Sequence, residues 1–152
     1  EKIEKETGKG RHKWGKSKHE FRLAYMRKIM AIPKFKRALY YSVFRDTSDY
    51  DMATIVGIAK AIHSRKIQDK FKSIVYVDGL QKNKLHEYGR ELRNLGIPIR
   101  KVQRVARDES NALIRLADSL AGFVRDILTH KGGRDLEVIF ESAKRKAVIS
   151  EV

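Results

Sequence analysis

Apolar residues recur along the chain in two periods. From His19 to about Ile32, the residues Phe21, Leu23, Tyr25, Met26, Ile29 and Met30 fall at helical spacing, and Pro33 ends the run. Ala38 through Phe44 is rich in aromatic and β-branched side chains, which predicts a strand over about 37–45. The polar run Asp46-Thr47-Ser48-Asp49 supplies turn and helix-capping residues. Beyond it, Met52, Ile55, Val56, Ile58, Ala59 and Ile62 predict the buried side of a helix over about 50–70. Four successive apolar residues, Ile74 to Val77, precede Asp78-Gly79 and predict a strand buried on both faces, as in a parallel sheet. Leu85, Tyr88, Leu92 and Leu95 predict a helix over about 81–95, closed by Gly96. Pro98 opens a further strand through Ile99, Val102 and Val105. Asp108-Glu109-Ser110 opens a long helix over about 109–128, and Gly132-Gly133 separates it from a shorter one over about 134–147.

Strands therefore alternate with helices over residues 37–128, the pattern of an α/β domain with a partly parallel sheet. Three strands are few for an open sheet covered on both faces, so either further strands go unrecognised within the chain or they lie upstream of residue 1. The organisation expected is a basic arm or loop at 1–19, an α/β domain over 20–130 and a C-terminal basic helix and tail over 131–152. The arm expectation rests on Gly8 to Lys16, where glycine alternates with basic residues around the single Trp, a stretch unable to bury a core alone.

Charge changes the picture most. The 152 residues carry 34 Lys and Arg against 19 Asp and Glu, a net charge of +15. That surplus points to a polyanionic partner, DNA or RNA. Arg11, Lys13, Lys16 and Lys18 flank Trp14, whose indole is expected to stack on a base. Lys82 and Lys84 follow Asp78, and Arg100, Lys101, Arg104 and Arg107 line the strand that leads to the long helix. The chain has no Cys, which excludes disulfides, a thiolate nucleophile and Cys-based zinc sites, and fits a reducing, cytoplasmic setting. No apolar run approaches the roughly 20 residues that cross a bilayer, so no membrane is expected among the partners.

Two carboxylates carry the candidate chemistry. Asp78 ends an apolar strand, and in open α/β sheets ligands gather outside the carboxyl ends of strands. There a carboxylate can face a crevice and bind Mg²⁺ or Mn²⁺; the alternative is an ordinary Asp-Gly turn. Asp118 lies off the centre of its helix's apolar stripe, among the small residues Ala117, Ser119, Ala121 and Gly122, which let other backbone approach closely. The alternative for it is a solvated helical Asp. Asp108 and Glu109 are available as further ligands, or Asp108 or Ser110 as the helix cap. Asp46, Asp49 and Asp51 read as a loop and helix start. His86 follows Asp78 in sequence and reads as either a neighbour of its crevice or a surface residue. No Walker A, G-x-G-x-x-G or G-x-S-x-G pattern is present.

The segment Arg107 to Arg125, with Leu116-Ala117-Asp118 at its centre, together with Val75-Tyr76-Val77-Asp78, resembles the family called domain of unknown function thirty-eight hundred. Lys13-Trp14 resembles an element common before that family's first helix. The family is similar in fold to ribonuclease H and retroviral integrases. The resemblance, over roughly residues 11–128, implies a ribonuclease H-like mixed sheet with flanking helices that lacks its first strands here. It also implies metal-dependent hydrolysis of nucleic acid, with Asp78 and Asp118 holding Mg²⁺ or Mn²⁺. The family's opening Asp-Glu-Ser-Gly strand is absent: Asp108-Glu109-Ser110 shares its letters but opens a helix. Two further readings stand beside the nuclease. One is a non-catalytic nucleic-acid binder that keeps the fold; the other is an interaction subunit whose apolar faces pair with another protein, completing the sheet, a homodimer being one such partner.

Overall fold

The computed structural model describes residues 1–65, 67, 70–105 and 111–152. Its elements run α1 (Lys2–Glu6), α2 (His19–Met30), β1 (Leu39–Tyr41), α3 (Tyr50–Ser64), β2 (Ser73–Asp78), α4 (Leu85–Asn94), β3 (Ile99–Val105), α5 (Ala112–Leu128), α6 (Gly133–Arg145) and β4 (Ile149–Glu151). The chain is an α/β protein of two compact units, residues 1–41 with 115–150 and residues 42–114 with 151–152.

The second unit is a β-α-β element with α3 packed on it. The Asp49 carboxylate accepts the Met52 N–H at 2.9 Å and starts α3, as the capping run predicts. β2 and β3 pair in parallel, with Val75 opposite Val102, Tyr76 opposite Gln103 and Asp78 opposite Val105. A shift between Ser73 and Ile74 leaves Arg100 as the extra residue of a bulge. α4 ends in a Schellman turn. Gly96 (φ +79°) lets the Ile97 N–H reach the Leu92 carbonyl at 3.0 Å and brings both side chains into the core. That core joins Ile55 and Ala59 of α3, Val75 and Val77 of β2, and Tyr88 and Leu92 of α4.

Only one face of β2 is covered. Val75 and Val77 are buried, whereas Ile74 and Tyr76 stay 45% and 38% exposed. The expectation of a strand buried on both faces is corrected here. Ile and Tyr favour strands whether or not their outer face is packed, so an apolar run does not report how many faces are covered.

The first unit packs α1, α2, α5 and α6 with the short pair β1–β4. Its core gathers Trp14, Tyr25, Met26, Ile29, Phe123 and Phe140 with Leu136 and Ile149. Trp14 and Phe123 meet edge-on at 6.1 Å, as do Phe123 and Phe140 at 5.7 Å. Residues 1–19 belong to this core instead of forming an arm: Glu4, Thr7, Lys9, Trp14 and Ser17 are all buried. They bury nothing alone, and α2 and α5 supply the surface that covers them. Asn111 caps α5 by accepting the Leu113 N–H at 2.9 Å; Asp108 and Ser110, the expected caps, lie outside the described residues.

Candidate nucleic-acid interface

Asp118 sits in the middle of α5, half-buried, and one carboxylate oxygen accepts the backbone N–H of Trp14 at 2.9 Å. The reason lies one turn further on. A Cβ on Gly122 would stand 2.3 Å from the Trp14 ring, so only glycine lets the indole lie against this helix. The close approach foreseen from the small residues around Asp118 is thus present, and Trp14 is what approaches.

Trp14 is 1% exposed and has no face for a base. The stacking role expected of it is therefore corrected. Its indole N–H donates to Asp126 Oδ2 at 2.7 Å, and the same oxygen takes Arg22 Nη1 at 3.0 Å. The Arg22 guanidinium also lies over the indole, 5.3 Å from its centre. A residue in this position holds two helices together and is unavailable to a ligand.

Further buried charges stand in the same unit. Arg115 donates to both oxygens of Glu4, at 2.7 and 2.9 Å, with both side chains buried. Burial pushes the Glu4 carboxyl up, but the Arg115 hydrogen bonds and the charges of Arg115 and Lys9 outweigh it and hold Glu4 below its ordinary value. Lys9 is 0% exposed and donates to the His12 carbonyl at 2.8 Å, with its ammonium 5.0 Å from the Tyr25 ring centre. Burial lowers the Lys9 pKa, against the pull of Glu4 and Asp118. Burial likewise pushes the Tyr25 hydroxyl up to about 12. These cations are engaged inside the protein, so they do not contribute to an outer phosphate surface.

Asp78 belongs to the second unit and is exposed at the carboxyl end of β2, followed by Gly79 at φ +65°. Asp118 belongs to the first. Among the described residues no three His, Asp or Glu side chains group closely enough to hold a metal ion. His86 is exposed on α4. Asp51 is engaged with Lys84 and with the Tyr88 hydroxyl, the latter at 2.8 Å, and both hold its carboxyl below the ordinary range.

The outer cations fall into two sets. Arg11, Lys13, Lys16 and Lys18 are exposed on the first unit; Arg11 reaches Glu1 at 3.5 Å, and Lys18 lies 5.8 Å from the Phe21 ring centre. Lys82, Arg100, Lys101 and Arg104 are exposed on the second. Arg107 lies outside the described residues. Sequence reasoning missed Tyr76 and Gln103, which lie side by side on the uncovered face of the β2–β3 pair. The one signal for them was the period of two within an otherwise apolar strand.

No helix among the described residues is long and apolar enough to cross a membrane. No protein-family model, curated protein or solved structure gives a significant match to the chain.

Proposed function

We propose that this protein binds nucleic acid through its exposed basic surface. One observation carries the reading: Arg11, Lys13, Lys16 and Lys18 of the first unit and Lys82, Arg100, Lys101 and Arg104 of the second are exposed, on a chain of net charge +15, while Lys84 is half-buried and paired with Asp51. Cations that reach a phosphate backbone release its counterions, and that release drives binding. The test is the salt dependence of affinity. The logarithm of the binding constant is expected to fall linearly with the logarithm of salt concentration. Each of Arg100→Ala and Lys101→Ala is expected to flatten that slope by about 0.7–0.9. A binding constant indifferent to salt removes the reading.

The ribonuclease H-like fold and metal-dependent hydrolysis form a second reading. It is favoured by the exposed place of Asp78 at the carboxyl end of a parallel strand, where open sheets gather their ligands. The variants that test it are Asp78→Asn and Asp118→Asn; the amide introduced by Asp118→Asn keeps an oxygen for the Trp14 N–H, so the fold is spared. Labelled single- and double-stranded DNA and RNA are expected to be cut with Mn²⁺ or Mg²⁺, and left intact in EDTA and by either variant. Cutting that persists in both variants takes the two aspartates out of the chemistry. Binding without cutting leaves the first reading alone.

A further inference from the structure

The uncovered face of the β2–β3 pair has a composition suited to one kind of occupant. Side chains alternate along a strand, so Ile74, Tyr76 and Asp78 of β2 share this face with Lys101, Gln103 and Val105 of β3. Val105, opposite Asp78, is buried. The remainder is open at Ile74 and Tyr76. The face pairs a flat aromatic and an apolar side chain with a cation: Lys101 stands opposite Ile74, and exposed Arg100 precedes it as the extra residue of the bulge. Tyr76 has Gln103 directly opposite, and an amide there offers both a donor and an acceptor.

We infer that this face binds single-stranded nucleic acid, with Tyr76 as the platform for an unpaired base. The inference rests on the nucleic-acid reading above and narrows it to a strandedness and a surface. Charge complementarity selects the occupant. An apolar partner gains nothing from Lys101 and Arg100, whereas a nucleic-acid strand brings phosphates for the cations and a base for the ring. From strand geometry, Lys101 is displaced about 8 Å from Tyr76 along and across the pair, so it serves the backbone while the ring serves the base. Gln103 sits where it can meet the edge of a base lying on Tyr76. Stacking on one exposed ring needs an unpaired base, which excludes a continuous duplex. Asp78, at the far end of the same face, limits how far the phosphates can run in that direction.

The test is the binding of a fluorescein-labelled single strand of about 12 nucleotides, and of the matching duplex, by anisotropy. The whole chain is compared with Tyr76→Ala, Tyr76→Phe and Gln103→Ala. The single strand is expected to bind tighter than the duplex. Tyr76→Ala is expected to weaken it about five- to a hundredfold with the salt slope unchanged, and Tyr76→Phe to stay within about twofold of the parent. Because Tyr76→Phe keeps the ring, its loss of binding along with Tyr76→Ala overturns stacking. Single strand and duplex bound equally, with Tyr76→Ala silent, overturns this inference and leaves the basic-surface reading standing. No binding of either nucleic acid removes both. Displacement of the strand by polyglutamate at equal charge, or a concentration-dependent mass by light scattering that Tyr76→Ala abolishes, assigns the face to an acidic protein or a second copy and overturns it too.

Discussion

Trp14→Ala is expected to lower stability by about 3–5 kcal/mol, the range for emptying a buried aromatic site. The indole is almost wholly enclosed and packs edge-on against Phe123. Its N–H is one of the donors that satisfy the buried Asp126 carboxylate. Against a typical total of about 5–15 kcal/mol, such a loss leaves little margin. Trp14→Phe keeps part of the ring and loses the donor, so it is expected to cost about 1–3 kcal/mol. Gly122→Ala acts on the same contact from the other side, since its Cβ would meet the indole at 2.3 Å. The two changes are therefore expected to be strongly non-additive: in the absence of the indole, the added methyl has room. Urea unfolding followed by circular dichroism measures all of these, because Trp14 is the only tryptophan and its fluorescence disappears with it. A Trp14→Ala protein of parental stability but weakened nucleic-acid binding contradicts the buried position and restores the stacking role to Trp14.

Breaking the Glu4–Arg115 pair is expected to be comparably costly. Both side chains are buried and joined by two hydrogen bonds, so Glu4→Gln removes the buried counter-charge of the guanidinium and leaves it the exposed Glu1 carboxylate at 3.2 Å. Removing one member of such a pair costs about 3–5 kcal/mol, whereas replacing both with apolar residues of similar size is often neutral. Glu4→Gln is therefore expected to destabilise strongly, and Glu4→Leu with Arg115→Met to recover much of the loss. The pair also sets an acid limit. Glu4 is held below its ordinary value of 4.5, so in the interval between the two values the unfolded chain binds the extra proton. Stability then rises with pH across that interval: the contribution is complete above the unfolded value and is lost as pH falls through the folded one. Urea midpoints measured from about pH 6 to pH 3 are expected to fall on acidification, and to fall less in Glu4→Gln. Equal acid slopes in the two proteins exclude Glu4 as a contributor.

Much of this architecture was legible along the chain. The helices at His19–Met30, Tyr50–Ser64, Leu85–Asn94 and Gly133–Arg145 follow apolar periodicity to within a few residues at most ends. The β2-α4-β3 parallel unit follows from two apolar strands around a helix closed by Gly96. The five-residue α1 and the three-residue β4 escaped notice, because a period cannot be recognised in so few positions. The burial of Lys9 was illegible for a different reason. A lysine is read as exposed unless the groups that accept its hydrogen bond and balance its charge are known, and two of those, Glu4 and Asp118, are known only after folding.

The sequence by itself determined the local elements, the surplus of positive charge and the need for close approach beside Asp118. All three follow from side-chain type and spacing within a few residues. Only the tertiary structure decided which side chains remain outside. It took Trp14 into a core more than a hundred residues distant in sequence, against Gly122 and Asp126, and it left Tyr76 uncovered on a strand that reads as buried. Burial depends on what arrives from elsewhere in the chain to exclude water. That is a property of the packed whole, so an aromatic residue ringed by lysines reads as a ligand platform while the fold uses it as a keystone.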